Sequence, residues 1–132
     1  MSGTFGYEMD LGRATPEEKE VVKEQVKFFK EHYDLIQQGD YYRLSDPFTA
    51  PYTAWEQVSP DKTDALVSLV YSPLQANAPF RTLRLKGLDP NAVYQINGEK
   101  EGWPGDVLMA AGYPLPLFMG DYQSIQLYLK AE

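Results

Sequence analysis

The sequence predicts a mainly β fold: an antiparallel β-sandwich preceded by one strand and one long α-helix. Three observations point there. Short apolar–polar alternations, separated by turn formers, recur from residue 40 onward. One long helical stripe fills residues 16–38. Ten Tyr, six Phe and two Trp in 132 residues suit half-buried pleated surfaces. A chain of this length forms one domain, or a small domain with an appendage, and buries about two thirds of its unfolded surface without staples.

Residues 3–11 alternate, with Phe5, Tyr7, Met9 and Leu11 set between smaller or polar residues. This reads as a strand, and a lone strand needs a sheet to join. Thr15-Pro16-Glu17-Glu18 is a capping box with Pro at the first helical position. Val22, Val26, Phe29, Tyr33 and Ile36 follow at helical spacing, widened by Val21, Phe28 and Leu35. Gly39 is a natural stop, able to take the left-handed conformation after the last turn. Lys19, Lys23, Lys27 and Lys30 share the outer face with Glu20, Glu24 and Glu31, a solvated face with Glu20–Lys23 and Glu24–Lys27 pairs.

Beyond residue 40, strands are predicted at Tyr41–Leu44, Ala54–Val58, Ala65–Tyr71, Phe80–Leu85, Ala92–Ile96 and Tyr122–Leu129. The loop Ser59–Asp64 joins two of them as a hairpin. Residues 98–121, rich in Gly and Pro, read as loop, with one helical turn at Asp106–Gly112. Leu66, Leu83, Leu85 and Leu127 are the expected core. A single β/α unit ahead of an all-β domain is odd, because such units belong to parallel sheets or barrels of repeated units. The pattern resembles a larger α/β protein cut before its last strand.

Composition excludes several functions. The net charge of −7 and the lack of a basic patch argue against nucleic acid as a partner. With no cysteine, disulfides, thiolate metal sites and cysteine nucleophiles are excluded. No apolar stretch is long enough to span a bilayer. No signal peptide or Asn-x-Ser/Thr sequon is recognisable, which fits a cytoplasmic protein.

Few residues suggest chemistry. His32, the single histidine, has no partner residues for a triad or a His-rich metal site. Near a helix C-terminus it reads as structural, its imidazolium favoured by the helix dipole. Glu8 and Asp10 are a carboxyl pair of the kind glycosidases use, but they read better as polar residues at a helix entry. Trp55 reads as core. Trp103, in a Gly- and Pro-rich loop expected to be exposed, reads as packing or interface rather than a sugar platform. Asp89, Asp106 and Asp121 fall in turns.

Four stretches in order carry a family resemblance: Ser2–Leu11 (Ser-Gly-Thr-Phe-Gly-Tyr-Glu-Met-Asp-Leu), Gly39–Leu44 (Gly-Asp-Tyr-Tyr-Arg-Leu), Leu85–Tyr94 (Leu-Lys-Gly-Leu-Asp-Pro-Asn-Ala-Val-Tyr), and Gly105–Gly112 (Gly-Asp-Val-Leu-Met-Ala-Ala-Gly) running on to Gly120–Ser124. Together they resemble the C-terminal portion of glycoside hydrolase family 36 α-galactosidases. That resemblance implies that residues 1–39 are the last strand and helix of a catalytic (β/α)8 barrel, and 40–132 a C-terminal antiparallel β domain. The family's two catalytic Asp residues lie in motifs without counterpart here. The resemblance therefore assigns no catalytic, cofactor-binding or metal residue to this chain, and no cofactor. It implies a non-catalytic module that supports the barrel or an oligomer, with terminal α-galactosides such as melibiose and raffinose as substrates of the parent alone. The competing reading is an independent carbohydrate-binding module. Its weakness is the first 38 residues, for which a free-standing module has no use. The barrel-derived strand is expected to be mobile or paired with a neighbouring copy.

Overall fold

The computed structural model describes residues 6–10, 12–73, 79–117 and 120–132. In chain order their elements are α1 (Pro16–Glu31), α2 (Tyr33–Gln38), β1 (Asp40–Arg43), β2 (Tyr52–Val58), β3 (Asp64–Tyr71), β4 (Thr82–Leu83), β5 (Val93–Ile96), β6 (Gly102–Pro104), α3 (Gly105–Ala110), β7 (Tyr113–Pro114) and β8 (Ser124–Ala131). Six strands form one sheet in the order β1-β2-β3-β8-β5-β6, and β4 pairs with β7 in a second. Every pairing is antiparallel. The predicted antiparallel β architecture is present, with two sheets of very unequal size.

Period-2 alternation splits the large sheet into two faces. Ala65, Val67 and Leu69 of β3 point one way, and Leu66, Ser68 and Val70 the other. Across the ladder Ala65 faces Leu129 and Val67 faces Leu127. On that first face Tyr94 and Ile96 of β5, Leu83 of β4, Leu85, Leu88 and Leu108 of α3 complete the main core. Burying each such side chain is worth about 1.5–3 kcal/mol. The small sheet adds Leu83 to this core; Leu115 N to Arg81 O at 2.9 Å extends its own pairing, and Leu85 N to Leu108 O at 3.1 Å ties the chain after β4 to α3. All four expected core leucines are buried. Leu66, however, lies on the opposite face, where it meets Leu35 and Ile36 of α2.

The β4 strand is shorter than the Phe80–Leu85 alternation suggested, and Phe80 is almost fully exposed. Strands β6 and β7, read as loop in the sequence, are short pieces beside Pro104 and Pro114. Between β5 and β6 the chain turns at Asn97 and Gly98, both with positive φ. The Asn97 side chain accepts from Tyr128 N at 2.9 Å and so locks this turn to β8.

The capping box forms as expected: Glu18 N donates to Thr15 Oγ1 at 3.2 Å, and Thr15 N to Glu18 Oε2 at 2.8 Å. The single helix predicted over 16–38 is instead two segments. They part at His32, whose φ of −107° and ψ of 16° leave the helical region. The break lets α2 bury Leu35 and Ile36, while no residue of α1 is fully buried. Gly39 also differs from expectation, because its φ of −67° is an ordinary extended value. Glycine is needed there for space: a Cβ would lie 2.4 Å from the Leu35 carbonyl oxygen.

No strand forms at residues 6–10, although Tyr7 and Met9 belong to the predicted alternation. Phe5 and Leu11 of that alternation lie outside the described residues. A strand gains its hydrogen bonds from neighbours, and among the described residues this segment pairs with no other strand. Tyr7 is nonetheless tied down, its hydroxyl donating to Gln25 Oε1 of α1. Among the described residues no helix is long and apolar enough to cross a membrane.

Candidate functional site

Helix α1 presents an apolar strip that the rest of the chain covers only in part. Val22 and Val26 line a shallow trough of about 420 Å³, walled by Lys23, Lys27, Lys30 and Glu31. Val21 and Tyr33 are half exposed. Of the predicted stripe only Ile36 is buried, with Leu35 beside it and Phe28 and Phe29 partly covered against the same cluster. The ion pairs on this helix are exposed: Lys23–Glu20 at 2.8 Å and Lys27–Glu31 at 3.8 Å, the latter in place of the expected Glu24–Lys27 pair. Each contributes well under about 1 kcal/mol.

On its inner side α1 stands over the second face of the large sheet. A groove of about 560 Å³ runs between Glu24, Gln25 and Phe28 of the helix and Trp55, Ser68, Val70, Ser124 and Gln126 of the sheet. Trp55 was expected in the core, yet it lies on this face and is only half buried. The register decides the matter: Trp55 pairs with Ser68 and Glu56 with Val67, so the inward residues of β2 are Ala54, Glu56 and Val58.

A second groove, of about 480 Å³, separates α2 from the β2–β3 hairpin. His32 forms part of its wall, stacked on Tyr128 at 4.4 Å and edge-on to Phe28 at 4.3 Å. Desolvation by these rings lowers the His32 pKa, against the opposing pull of Glu31 and Asp64. The imidazolium is thus disfavoured, because burial outweighs both carboxylates. Asp61 holds the hairpin, accepting from Ser59 Oγ at 2.7 Å and Thr63 N at 3.2 Å. These hydrogen bonds lower its pKa.

The other candidate residues are scattered. Asp10 serves the turn into α1, accepting from Gly12 N at 2.9 Å and pairing with Arg13 at 3.4 Å. Glu8 is exposed. Trp103 is not the exposed loop residue expected: it is half buried in β6, packed edge-on to Tyr113 at 5.3 Å. Asp89 accepts from Asn91 N within its turn. The Asp106 carboxylate accepts from Val107 N. No group of three or more potential metal ligands occurs among the described residues.

Residues 52–129, from the start of β2 to near the end of β8, match the model of the glycosyl hydrolase family 36 C-terminal domain. The chain belongs to that family. It is 46% identical over 131 residues to α-galactosidase AgaA of Geobacillus stearothermophilus, covering 99% of this chain and 18% of the relative. It is 44% identical over 126 residues to the bifunctional α-galactosidase/sucrose kinase AgaSK of Mediterraneibacter gnavus, covering 96% of this chain and 14% of that protein. The crystal structure of the family 36 α-galactosidase AgaB from G. stearothermophilus superposes with a TM-score of 0.94 at 46% identity, covering 99% of this chain and 18% of the other. The chain thus spans less than a fifth of the length of these relatives, as the C-terminal portion of a family 36 α-galactosidase.

Glu56 is the residue that sequence reasoning missed. It lies in the core with no exposed surface, in a strand whose alternation is ambiguous between Ala54/Glu56/Val58 and Trp55/Gln57. A large aromatic in one set and a carboxylate in the other favours the wrong choice. The available signal is in the partner strand, where Val67 alternates with Ser68.

Proposed function

We propose that this chain is the non-catalytic C-terminal part of a retaining α-galactosidase acting on terminal α-galactosides such as melibiose and raffinose. In this reading residues 1–39 complete the catalytic barrel, and residues 40–132 brace it. The observation that carries the reading is the partly exposed apolar strip of α1, where Val22 and Val26 line a trough built from residues of that helix alone. Sixteen residues form a capped amphipathic helix, and none is buried within the chain. Exposed apolar patches of this kind mark interaction sites. The matched relatives offer the occupant, since more than four fifths of their length lies outside the part this chain covers. Asp10 is engaged by Gly12 N and Arg13 in the turn into α1 and Glu8 is exposed, which supports a non-catalytic part, since glycosidic cleavage needs a carboxyl pair held across one sugar. An acidic, cysteine-free sequence without a sequon supports a cytoplasmic parent.

The test is fragment complementation. The remaining length of AgaA, truncated where this chain aligns, is mixed with this chain and assayed on an activated aryl α-galactoside. Turnover is expected only with both pieces. Turnover by this chain alone, lost on Glu8→Gln or Asp10→Asn, overturns the proposal. So does full activity of the truncated partner alone.

A further inference from the structure

The main core contains a carboxyl group that no part of the proposed function uses. Glu56 has no exposed surface. Its Oε2 accepts from Lys86 N at 2.9 Å, which pins the turn at residues 85–88 onto β2. Its Oε1 has no hydrogen-bond partner among the described residues. The turn is pinned tightly: Lys86 Nζ donates to Arg43 O of β1 at 2.9 Å, and Gly87, at a φ of +71°, lies so close to the Tyr42 ring that a Cβ would approach it to 2.4 Å.

We propose that the Glu56 carboxyl is a proton-controlled latch: protonated, it lets the 85–88 turn close dry over the sheet, and ionised, it forces that turn to open and admit water. A buried carboxylate with one unpartnered oxygen is costly, and the cheapest relief is solvent. The turn is the cover whose attachment runs through this carboxyl, by way of Lys86 N, whereas Val67 and Tyr42, which flank Glu56, are held in the two strand ladders.

The surrounding groups are Lys86 from the turn, Tyr42 from β1, and Tyr94 from β5, whose hydroxyl accepts from Asp89 N at 3.0 Å and donates to Lys62 O at 2.7 Å. Lys86 is the cation among these, and its ammonium is held away at Arg43 O. Burial pushes the Glu56 pKa up to about 8, against the smaller opposing effects of the Lys86 amide and charge. The sign follows from proton counts. Between its ordinary value of 4.5 and about 8, the folded state holds a proton that the unfolded state has lost. Stability is therefore complete below the lower value, falls as pH rises, and levels off above the upper one.

The experiment uses this chain and its Glu56→Gln variant, which keeps an acceptor for Lys86 N and cannot ionise. Unfolding is followed by denaturant titration from pH 4.5 to 9, and exchange of the Lys86 and Leu88 amides is read by NMR. Relative to Glu56→Gln, the wild-type unfolding constant is expected to rise by up to about tenfold per pH unit between the two values. The two amides are expected to exchange faster in the wild type at high pH, after correction for intrinsic rates. Parallel pH profiles in the two proteins overturn the proposal. Should Glu56→Gln fail to fold, the 13C shift of the wild-type Glu56 carboxyl decides: titration near 4.5 overturns the latch, and titration well above it supports it.

Discussion

Helix α1 and strand β3 both carry regular apolar patterns, and the chain treats them differently. In β3 the five residues from Ala65 to Leu69 and Tyr71 are buried, so both faces are covered. One face meets the main core. The other meets Leu35 and Ile36 through Leu66. In α1 no residue is buried, despite a good cap and an apolar strip. An amphipathic pattern fixes the kind of element and the face that wants cover. It does not supply the cover. An isolated helix of this length is marginal in water, so α1 depends on its cap and on the partial packing of Phe28 and Phe29 against Leu35, Ile36 and Leu66.

The largest expected contrast comes from the core. Leu83→Ala is expected to cost about 2–5 kcal/mol of global stability, read by denaturant unfolding, because it leaves a cavity between the two sheets. A cost below about 1 kcal/mol would mean the small sheet is not firmly packed on the large one. Next in size is Thr15→Ala, which removes half of the capping box and is expected to cost α1 about 0.5–2 kcal/mol of local helix stability. The loss should appear as reduced helical circular dichroism, with the unfolding midpoint of the β domain unmoved. A midpoint that moves with it would show that α1 and the sheet form one cooperative unit. The smallest effect is expected from Val22→Ser combined with Val26→Ser. In the chain alone it should change stability by no more than about 0.5 kcal/mol, as surface substitutions do. The same pair should abolish complementation of a truncated α-galactosidase, which separates a docking strip from an idle one.

Much of the β domain was legible because its strands obey local rules. Ala65–Tyr71 is apolar and bounded by turn formers, and Asn97-Gly98 is a turn whatever surrounds it. The β6 and β7 pieces were hidden because two- and three-residue strands beside proline have no period of their own. They exist only through their partners, Val93–Gln95 for β6 and Thr82–Leu83 for β7. Trp55 was expected in the core, and the inward Glu56 went unread, because adjacent strand residues take opposite faces and one register choice sends a whole set inward. At the candidate site, the strip of Val22 and Val26 is legible as apolar in the sequence, but what covers it is not.

Sequence alone determined the antiparallel β class, the capped helix at its true start, the four buried leucines and the ordered set of stretches that marks the family. Each rests on neighbours a few residues apart or on composition, where propensity and periodicity act directly. Tertiary structure alone decided the break at His32, the inward turn of Glu56, the burial of Trp103 against Tyr113 and the partial exposure of the α1 strip. Each of these depends on atoms brought together from distant parts of the chain, and burial is a property of that assembly rather than of any segment within it.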